Sequence, residues 1–507
     1  MTMYLLLEDW KKDCKMFENP RVLFSTTPST SKLLLALLLA TSLNADNLDE
    51  MMEGFDDESK IEVSQSSESD DFMDGFDDDE PSSKHSKSIT DDLMDGFDDE
   101  STAPPKVSRS HAERGNKKES VFNDFTGKLS EQTAFSYNDT SPHDNISSLK
   151  SSLLLDYEHK FDNGFKFKTN AKAYYDAIYN IRGRDKYSKG ELNQLESEVE
   201  LFDAYFEGSL SENLDMKLGR QVVVWGRSDT IRITDVLNPL DNRRPGMVDI
   251  EDLRLPVAMA KFDYYVGDWR ITPMAVLEQR FSKNPAGGST YNPAPVVPAH
   301  KNYSDITPAL SIGGEFSGWD VNFYATQLRD DVGYLKSGEF NHDKVTMFGT
   351  ALNVLSGSWL LKTELAHFDG LKYTTAPNKE FKRTDALIGL EYNGFPDSLI
   401  SYDVSLRKVH DYDARLINDP FEVQENTYQH AFRATKDFVN ATVHANYLIS
   451  LFGSKLNEGG FQRAWVKYDI ADGIYTNVGV VDYMGGSRLF DQVHNSDMVF
   501  ADITYSF

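Results

Sequence analysis

From residue 121 to the end, apolar and polar side chains alternate along one segment after another, with turn residues between the segments. A period of two puts successive side chains on opposite faces of a strand, so each segment predicts a two-faced strand. The segments run 125–137, 147–160, 164–179, 195–210, 214–224, 257–266, 268–281, 308–316 and 319–329. They continue through 344–355, 357–369, 382–392, 398–411, 425–437, 439–452, 461–470, 473–483 and 496–507. About eighteen strands are expected. Within Phe165–Ala173 one phase is apolar or small, and the other reads Lys166, Lys168, Asn170, Lys172.

Connection lengths alternate as well. Short turns fall at Asp162-Asn163-Gly164, Gly267-Asp268, Ser317-Gly318, Ser356-Gly357, Asn393-Gly394 and Ala471-Asp472-Gly473. Longer polar loops fall between them at 180–194, 225–256, 282–307, 330–343, 370–381, 412–424 and 484–495. Lipid outside and water inside demand the two-faced strand, and short turns against long loops complete the pattern. The fold class expected is all-β: a transmembrane antiparallel up-and-down β-barrel. An even strand count puts both barrel ends on the short-turn, periplasmic side of a Gram-negative outer membrane. A soluble sandwich would not keep loop length in phase with strand order.

Trp319, Trp359, Trp465, Tyr468 and Tyr475 lie near predicted strand ends, where an aromatic girdle belongs. The last segment has apolar or small residues at 499, 501, 503, 505 and 507 and finishes on Phe507. Tyr505 and Phe507 resemble the C-terminal signal read by the barrel assembly machinery, so that machinery and outer-membrane lipid are expected partners.

Composition sets the rest of the chain apart. The formal charge is −29, which argues against nucleic acid as a partner. Cysteine occurs once, at Cys14, so neither disulfides nor cysteine-based metal sites are expected. Residues 1–45 read as a signal peptide: Lys11, Lys12, Lys15, Arg21 and Lys32, then an apolar run from Leu33, then Ala45 at a cleavage point. So long a basic region also fits a start at Met16. Residues 46–120 read as a disordered acidic tail in the periplasm. Between 46 and 100, 22 acids face three lysines, about two thirds of the net charge.

The tail carries one phrase three times: Met52-Glu53-Gly54-Phe55-Asp56-Asp57, Met73-Asp74-Gly75-Phe76-Asp77-Asp78 and Met94-Asp95-Gly96-Phe97-Asp98-Asp99. The phenylalanines are 21 residues apart each time. Each Met–Phe pair is spaced to share a helix face, so Met52, Phe55, Met73, Phe76, Met94 and Phe97 are candidate anchors for a periplasmic or inner-membrane partner. A duplicated spacer is the plainer reading. The acids do not follow the alternate-position order of a calcium loop.

Within the barrel region, charge is densest after the strand at 214–224. Arg227, Arg232, Arg243, Arg244 and Arg254 accompany Asp229, Asp235, Asp241, Asp249, Glu251 and Asp252. Ile231, Ile233, Val236, Leu237 and Leu240 lie among them, more aliphatics than a solvated loop needs. The loop is expected to fold into the lumen as a constriction. Its candidate lining is Arg220, Arg227, Arg232, Arg243, Arg244, Arg254, Asp229, Asp235 and Glu251, with Arg243 and Arg244 facing lumen water. An extracellular cap is the alternative.

Here the chain resembles a known family. Leu218-Gly219-Arg220-Gln221, Trp225-Gly226, Asn238-Pro239 and Arg243-Arg244-Pro245-Gly246 look like a family of uncharacterised proteobacterial outer-membrane proteins, classed as a domain of unknown function. The resemblance implies a barrel. It also implies company with exporters of the resistance-nodulation-division type and a lipoprotein-carrier-like periplasmic protein. It implies no substrate. Catalytic Gly-x-Ser-x-Gly, His-Glu-x-x-His and phosphate-loop motifs do not occur, and His367, His410, His430 and His444 are expected as lumen-facing polar residues. An outer-membrane channel without enzymatic activity, cofactor or metal is expected; an anchor that displays loops and tail without transport is the alternative.

One test belongs to the tail. Phe55→Ala, Phe76→Ala and Phe97→Ala together should abolish capture of an envelope partner, while each alone weakens it modestly. Burying one Phe contributes about 1.5–3 kcal/mol, and three linked copies compensate for the loss of one. Pull-downs with native and triple-substituted chains from one envelope extract compare the partners; identical recoveries leave only a spacer.

Overall fold

The structure, a computed structural model, describes residues 125–507 apart from 249, 295 and 296. The signal peptide, the tail and its three motifs lie outside the described residues. The strands are β1 (Phe125–Ser136), β2 (Asn145–Lys160), β3 (Lys166–Asp176), β4 (Ser197–Ser211), β5 (Leu214–Gln221), β6 (Val257–Val266) and β7 (Trp269–Val276). Next come β8 (Thr307–Phe316), β9 (Trp319–Arg329), β10 (Tyr334–Lys336), β11 (Glu339–Asn341), β12 (Lys344–Ser356), β13 (Trp359–Leu371) and β14 (Phe381–Tyr392). The last are β15 (Ser398–Val409), β16 (Asn426–Phe438), β17 (Val443–Phe452), β18 (Gly460–Ala471), β19 (Ile474–Met484) and β20 (Met498–Ser506).

Eighteen of these form one antiparallel sheet in which each strand pairs with its neighbours in sequence. β9 passes to β12, and β20 pairs back to β1, so the sheet closes. β10 and β11 form a separate small hairpin inside the 330–343 loop, a feature the alternation did not predict. Closure is sealed at the C-terminus: Gly127 N donates to the Phe507 carbonyl at 2.8 Å, and Phe507 N donates to the Gly127 carbonyl at 2.9 Å. Phe507 lies over Gly127, where a Cβ would meet its ring at 2.5 Å. Tyr505 and Phe507 are both exposed on the outer face.

The outer face is apolar. Leu129, Phe135, Leu155, Phe323, Phe348, Leu365, Ile388, Val466, Val478 and Val499 are exposed along the strands. Their neighbours of opposite phase face the lumen and pair there: Lys166 with Glu207 at 2.7 Å, Lys168 with Asp156 at 3.7 Å, and Asn170 with Asp203 at 3.2 Å. At the short-turn end Phe316 stacks on Trp319 with centroids 4.3 Å apart, and Trp359 lies 4.4 Å from Tyr392. Trp319, Trp359 and Tyr468 are exposed there as a girdle requires. Trp465 is not part of it. It is 9% exposed, on the inward phase of β18, with the Arg463 guanidinium 3.9 Å over its ring. Tyr475 likewise takes Lys467 over its ring at 4.8 Å on the inner side. Both were placed by distance from a strand end, whereas phase decides which side an aromatic faces.

Strand ends moved where side chains intervene. The third strand stops at Asp176, whose Oδ1 accepts from Leu149 N at 2.8 Å and from Ile178 N at 3.3 Å, turning the chain into a short helix, Ile178–Arg182. β5 stops at Gln221 and β7 at Val276, because the chain leaves the wall after each. The histidines divide too. His444 is buried between Asp437 and Asp469, at 2.9 and 3.0 Å. His367 and His430 instead share the phase of exposed Leu365 and of Tyr428, on the outer side.

Long loops pack on one another beyond β7, β9 and β12. His342 is buried, stacked on Phe281 with centroids 3.5 Å apart. Its Nδ1 lies 2.6 Å from the Asp330 carbonyl, and its Nε2 lies 2.8 Å from His300 Nδ1. Burial pushes His342 down to about 4 and lowers His300 as well. A neutral pair is therefore favoured by folding. Its contribution is complete above the ordinary value of 6.5 and is lost as pH falls from there to about 4. Amide exchange in loops 277–306 and 330–343 should rise across that window relative to a His342→Phe chain measured at the same pH; parallel behaviour of the two chains would remove the pair from the loop contact.

Candidate functional site

The segment 222–256 leaves the wall after β5 and rejoins it at β6. Gly226 and its neighbours approach β13. Glu364 Oε1 accepts from Arg227 N at 2.6 Å and from Ser228 N at 2.9 Å; Glu364 Oε2 accepts from Thr234 N at 3.1 Å and from Thr234 Oγ1 at 2.7 Å. Gly226 has φ +93°, and a Cβ there would lie 2.8 Å from Glu364 Oε2. Only glycine combines that backbone with that approach. Asp403 on β15 accepts from Ser228 Oγ at 2.7 Å and from Thr230 Oγ1 at 2.5 Å. Lys362 on β13 reaches Asp229 at 2.8 Å. Arg227 pairs with Asp320 on β9, and Trp225 stacks on Tyr324 with centroids 4.7 Å apart.

These polar ties flank an apolar contact. Trp225, Ile231, Ile233 and Leu237 pack with Val257, Met259, Met274, Val276, Val345, Met347 and Phe368 in one buried cluster. The interleaved aliphatics of the loop thus cover an apolar stretch of inner wall. The loop holds its own shape through Asn238, which accepts from Val223 N at 2.8 Å and donates to the Leu255 and Gln221 carbonyls. Asp235 lies between Arg232 at 3.2 Å and Arg254 at 2.8 Å.

The second half of the loop engages other strands. Arg243 donates to Asp241 Oδ1 at 2.8 Å and to Glu198 on β4 at 2.7 Å. Arg244 meets Asp176 at 3.1 Å and Ser148 Oγ at 3.2 Å, on β3 and β2. Met247 packs with Trp465, Val481, Tyr483, Met498 and Phe500 on β18, β19 and β20. Gly246, with φ +76°, sits where a Cβ would lie 2.9 Å from the Phe461 ring. The loop therefore contacts inward-facing residues of β9, β13 and β15 at one end and of β2, β3, β4 and β18–β20 at the other.

Of the expected lining residues, Arg227, Asp229, Arg232, Asp235, Arg243, Arg244 and Arg254 all take part in this ion-paired loop. The expectation for Arg243 needs correction: it is buried and doubly paired, not turned to lumen water. Arg220 stands apart at the end of β5, bonded to the Leu201 carbonyl at 2.6 Å and paired with Glu278 at 3.3 Å. The Glu251 side chain lies outside the described residues. Sequence reading missed the wall partners Glu364, Asp403, Lys362, Asp320, Asp176 and Glu198. Their signal was an isolated charge on the inward phase of a strand, which does not say what it faces. Among the described residues no group of three metal-ligating side chains is assembled.

The chain matches solved structures, among them three bacterial ones, of which two are described as an outer-membrane protein and an outer-membrane channel. Residues of this chain match OpdK from Pseudomonas aeruginosa at 10% identity and TM-score 0.46, over 76% of this chain and 98% of that one. OccAB3 of Acinetobacter baumannii matches at 11% and 0.47, over 76% and 98%. The outer-membrane channel DcaP of the same organism matches at 10% and 0.40, over 76% and 96%. No curated protein matches the chain. The model of a family described as proteins of unknown function (DUF1302) matches residues 110–507, and the chain belongs to that family.

Proposed function

We propose that this protein is a porin-like channel of the Gram-negative outer membrane, narrowed by the 222–256 loop. The observation that carries the reading is the loop's anchorage to opposite groups of lumen-facing strands, through Glu364 and Asp403 on one side and Asp176, Glu198 and the Met247 contact on the other. A closed sheet with an apolar outside and a charged inside suits a bilayer. Eighteen strands leave a lumen too wide for wall side chains alone to fill. The loop reduces it to a passage bordered by fixed charge, which acts strongly on ions in a confined space. The acidic tail would lie in the periplasm and take an envelope partner, which suits the outer component of an export pathway. Tyr505 and Phe507 would present the assembly signal.

Deleting residues 229–252 should raise single-channel conductance in planar bilayers. No change would take the loop out of the conducting path, and a native chain that never conducts would leave the anchoring role instead.

Replacing Arg243 and Arg244 by alanine leaves Asp241 and Asp176 without their cations and Glu198 with Lys283 alone. Reversal potentials under a salt gradient should move toward cation selectivity, and a move toward anions would contradict this account of the charges. Glu364→Ala strands three backbone donors, at about 1–3 kcal/mol each. It should make the open current larger and noisier; a quiet, unaltered current would show that Glu364 does not hold the loop.

A further inference from the structure

The barrel wall is not of even height. β4 pairs with β3 up to Ser197, but its pairing with β5 begins only at Ala204. β5 ends at Gln221 because the chain turns into the lumen, and β6 starts opposite it at Val257. Among the described residues, the β4 backbone from Ser197 to Asp203 has no strand partner on its β5 side. A bare strand edge in a bilayer leaves backbone groups without water. Here side chains stand in for the missing strand. The Arg220 guanidinium takes the Leu201 carbonyl at 2.6 Å. Arg280 pairs with Glu200, and Lys283 reaches Glu198 at 2.6 Å and Glu200 at 2.7 Å.

The gap lies at lipid depth. Phe206 belongs to the aromatic group at the short-turn end, with Phe165 and Phe161. At about 3.3 Å per residue and a tilt of about 40°, Leu201 stands about 13 Å above it and Val199 about 18 Å, within an apolar band about 25 Å tall. Both point outward; Val199 is 75% exposed and Leu201 50%. Beside the gap is a small cavity of about 30 Å³, lined by Val257, Val276 and Leu328 together with Glu278, Arg280 and Asp331. Both Glu278 and Arg280 line that cavity; Arg280 pairs with Glu200 across the gap, and Glu278 holds Arg220 beside it.

We propose that the space between the upper half of β4 and the chain after β7 is a lateral portal, latched by the Glu200–Arg280 and Lys283 ion pairs, through which an amphipathic molecule with an apolar tail passes between the lumen and the outer leaflet. The tail is received by Val199 and Leu201 on the outer face; the polar head stays among the paired charges. The exchange of backbone pairing for side-chain pairing is what permits opening. Salt bridges between partly exposed groups are weak and re-form readily, whereas a run of ladder hydrogen bonds must break together. This builds on the channel reading but uses a different route through the wall.

The test uses the full chain in the outer membrane of intact cells, with Glu200→Cys and Arg280→Cys joined by a short bismaleimide. The probe is N-phenyl-1-naphthylamine, an apolar amine that fluoresces on reaching the membrane interior. Linking should slow probe uptake at least fivefold relative to the unlinked double variant, and conductance of the purified barrel should stay within a factor of two. Arg280→Ala, which removes one of the two cations of the latch, should speed uptake, with heat-modifiable mobility on gels confirming a folded barrel. Uptake untouched by linking overturns the portal. So does a loss of uptake matched by an equal loss of conductance, since that places both on the axial path. A barrel that never conducts, yet whose probe uptake is blocked by linking, removes the channel reading and leaves the portal standing.

Discussion

In lipid every backbone donor and acceptor needs a partner within the protein, and the rest of this structure depends on that constraint. It forces the sheet to close, and β20 meets β1 along nine residue pairs from Ser136 opposite Met498 to Lys128 opposite Ser506. It forces side chains to alternate between lipid and lumen. Beside β4, where β5 does not reach, the Arg220 guanidinium donates to the Leu201 carbonyl, and Arg280 and Lys283 pair with the Glu198 and Glu200 carboxylates. The same chain excursion that shortens β5 and β6 supplies the loop in the lumen, so the low wall and that loop have one origin.

The loop stays in place by two kinds of interaction. Its aliphatic residues cover apolar wall between β6 and β13, a non-directional contact that holds it close to the sheet. Carboxylates then fix its position. Glu364 collects four donors from one turn of loop, and bonds to a charged acceptor exceed neutral ones in strength. Gly226 is required for that turn because the carboxylate lies where a side chain would begin. The loop's own arginines are spent on its acids or on wall acids. Paired in this way, the loop leaves no unpaired charge of its own arginines in a low-dielectric interior.

The amino-acid sequence by itself determined the architecture. A period of two, eighteen times over, with turn length in phase, reports the barrel because lipid and water impose opposite demands on alternate residues. It also identified the loop at 225–256, since aliphatics and arginines together mark a segment buried against something charged. What it could not determine was position around the barrel. Trp465 and Tyr475 sit near strand ends in sequence, yet their phase turns them to the lumen. Arg243 read as facing water and is buried between Asp241 and Glu198. The partners of the loop, Glu364 and Asp403, lie well over a hundred residues away in sequence. Local pattern records which face a residue takes; which strands stand across the lumen from each other is decided only when the sheet closes and sets their register.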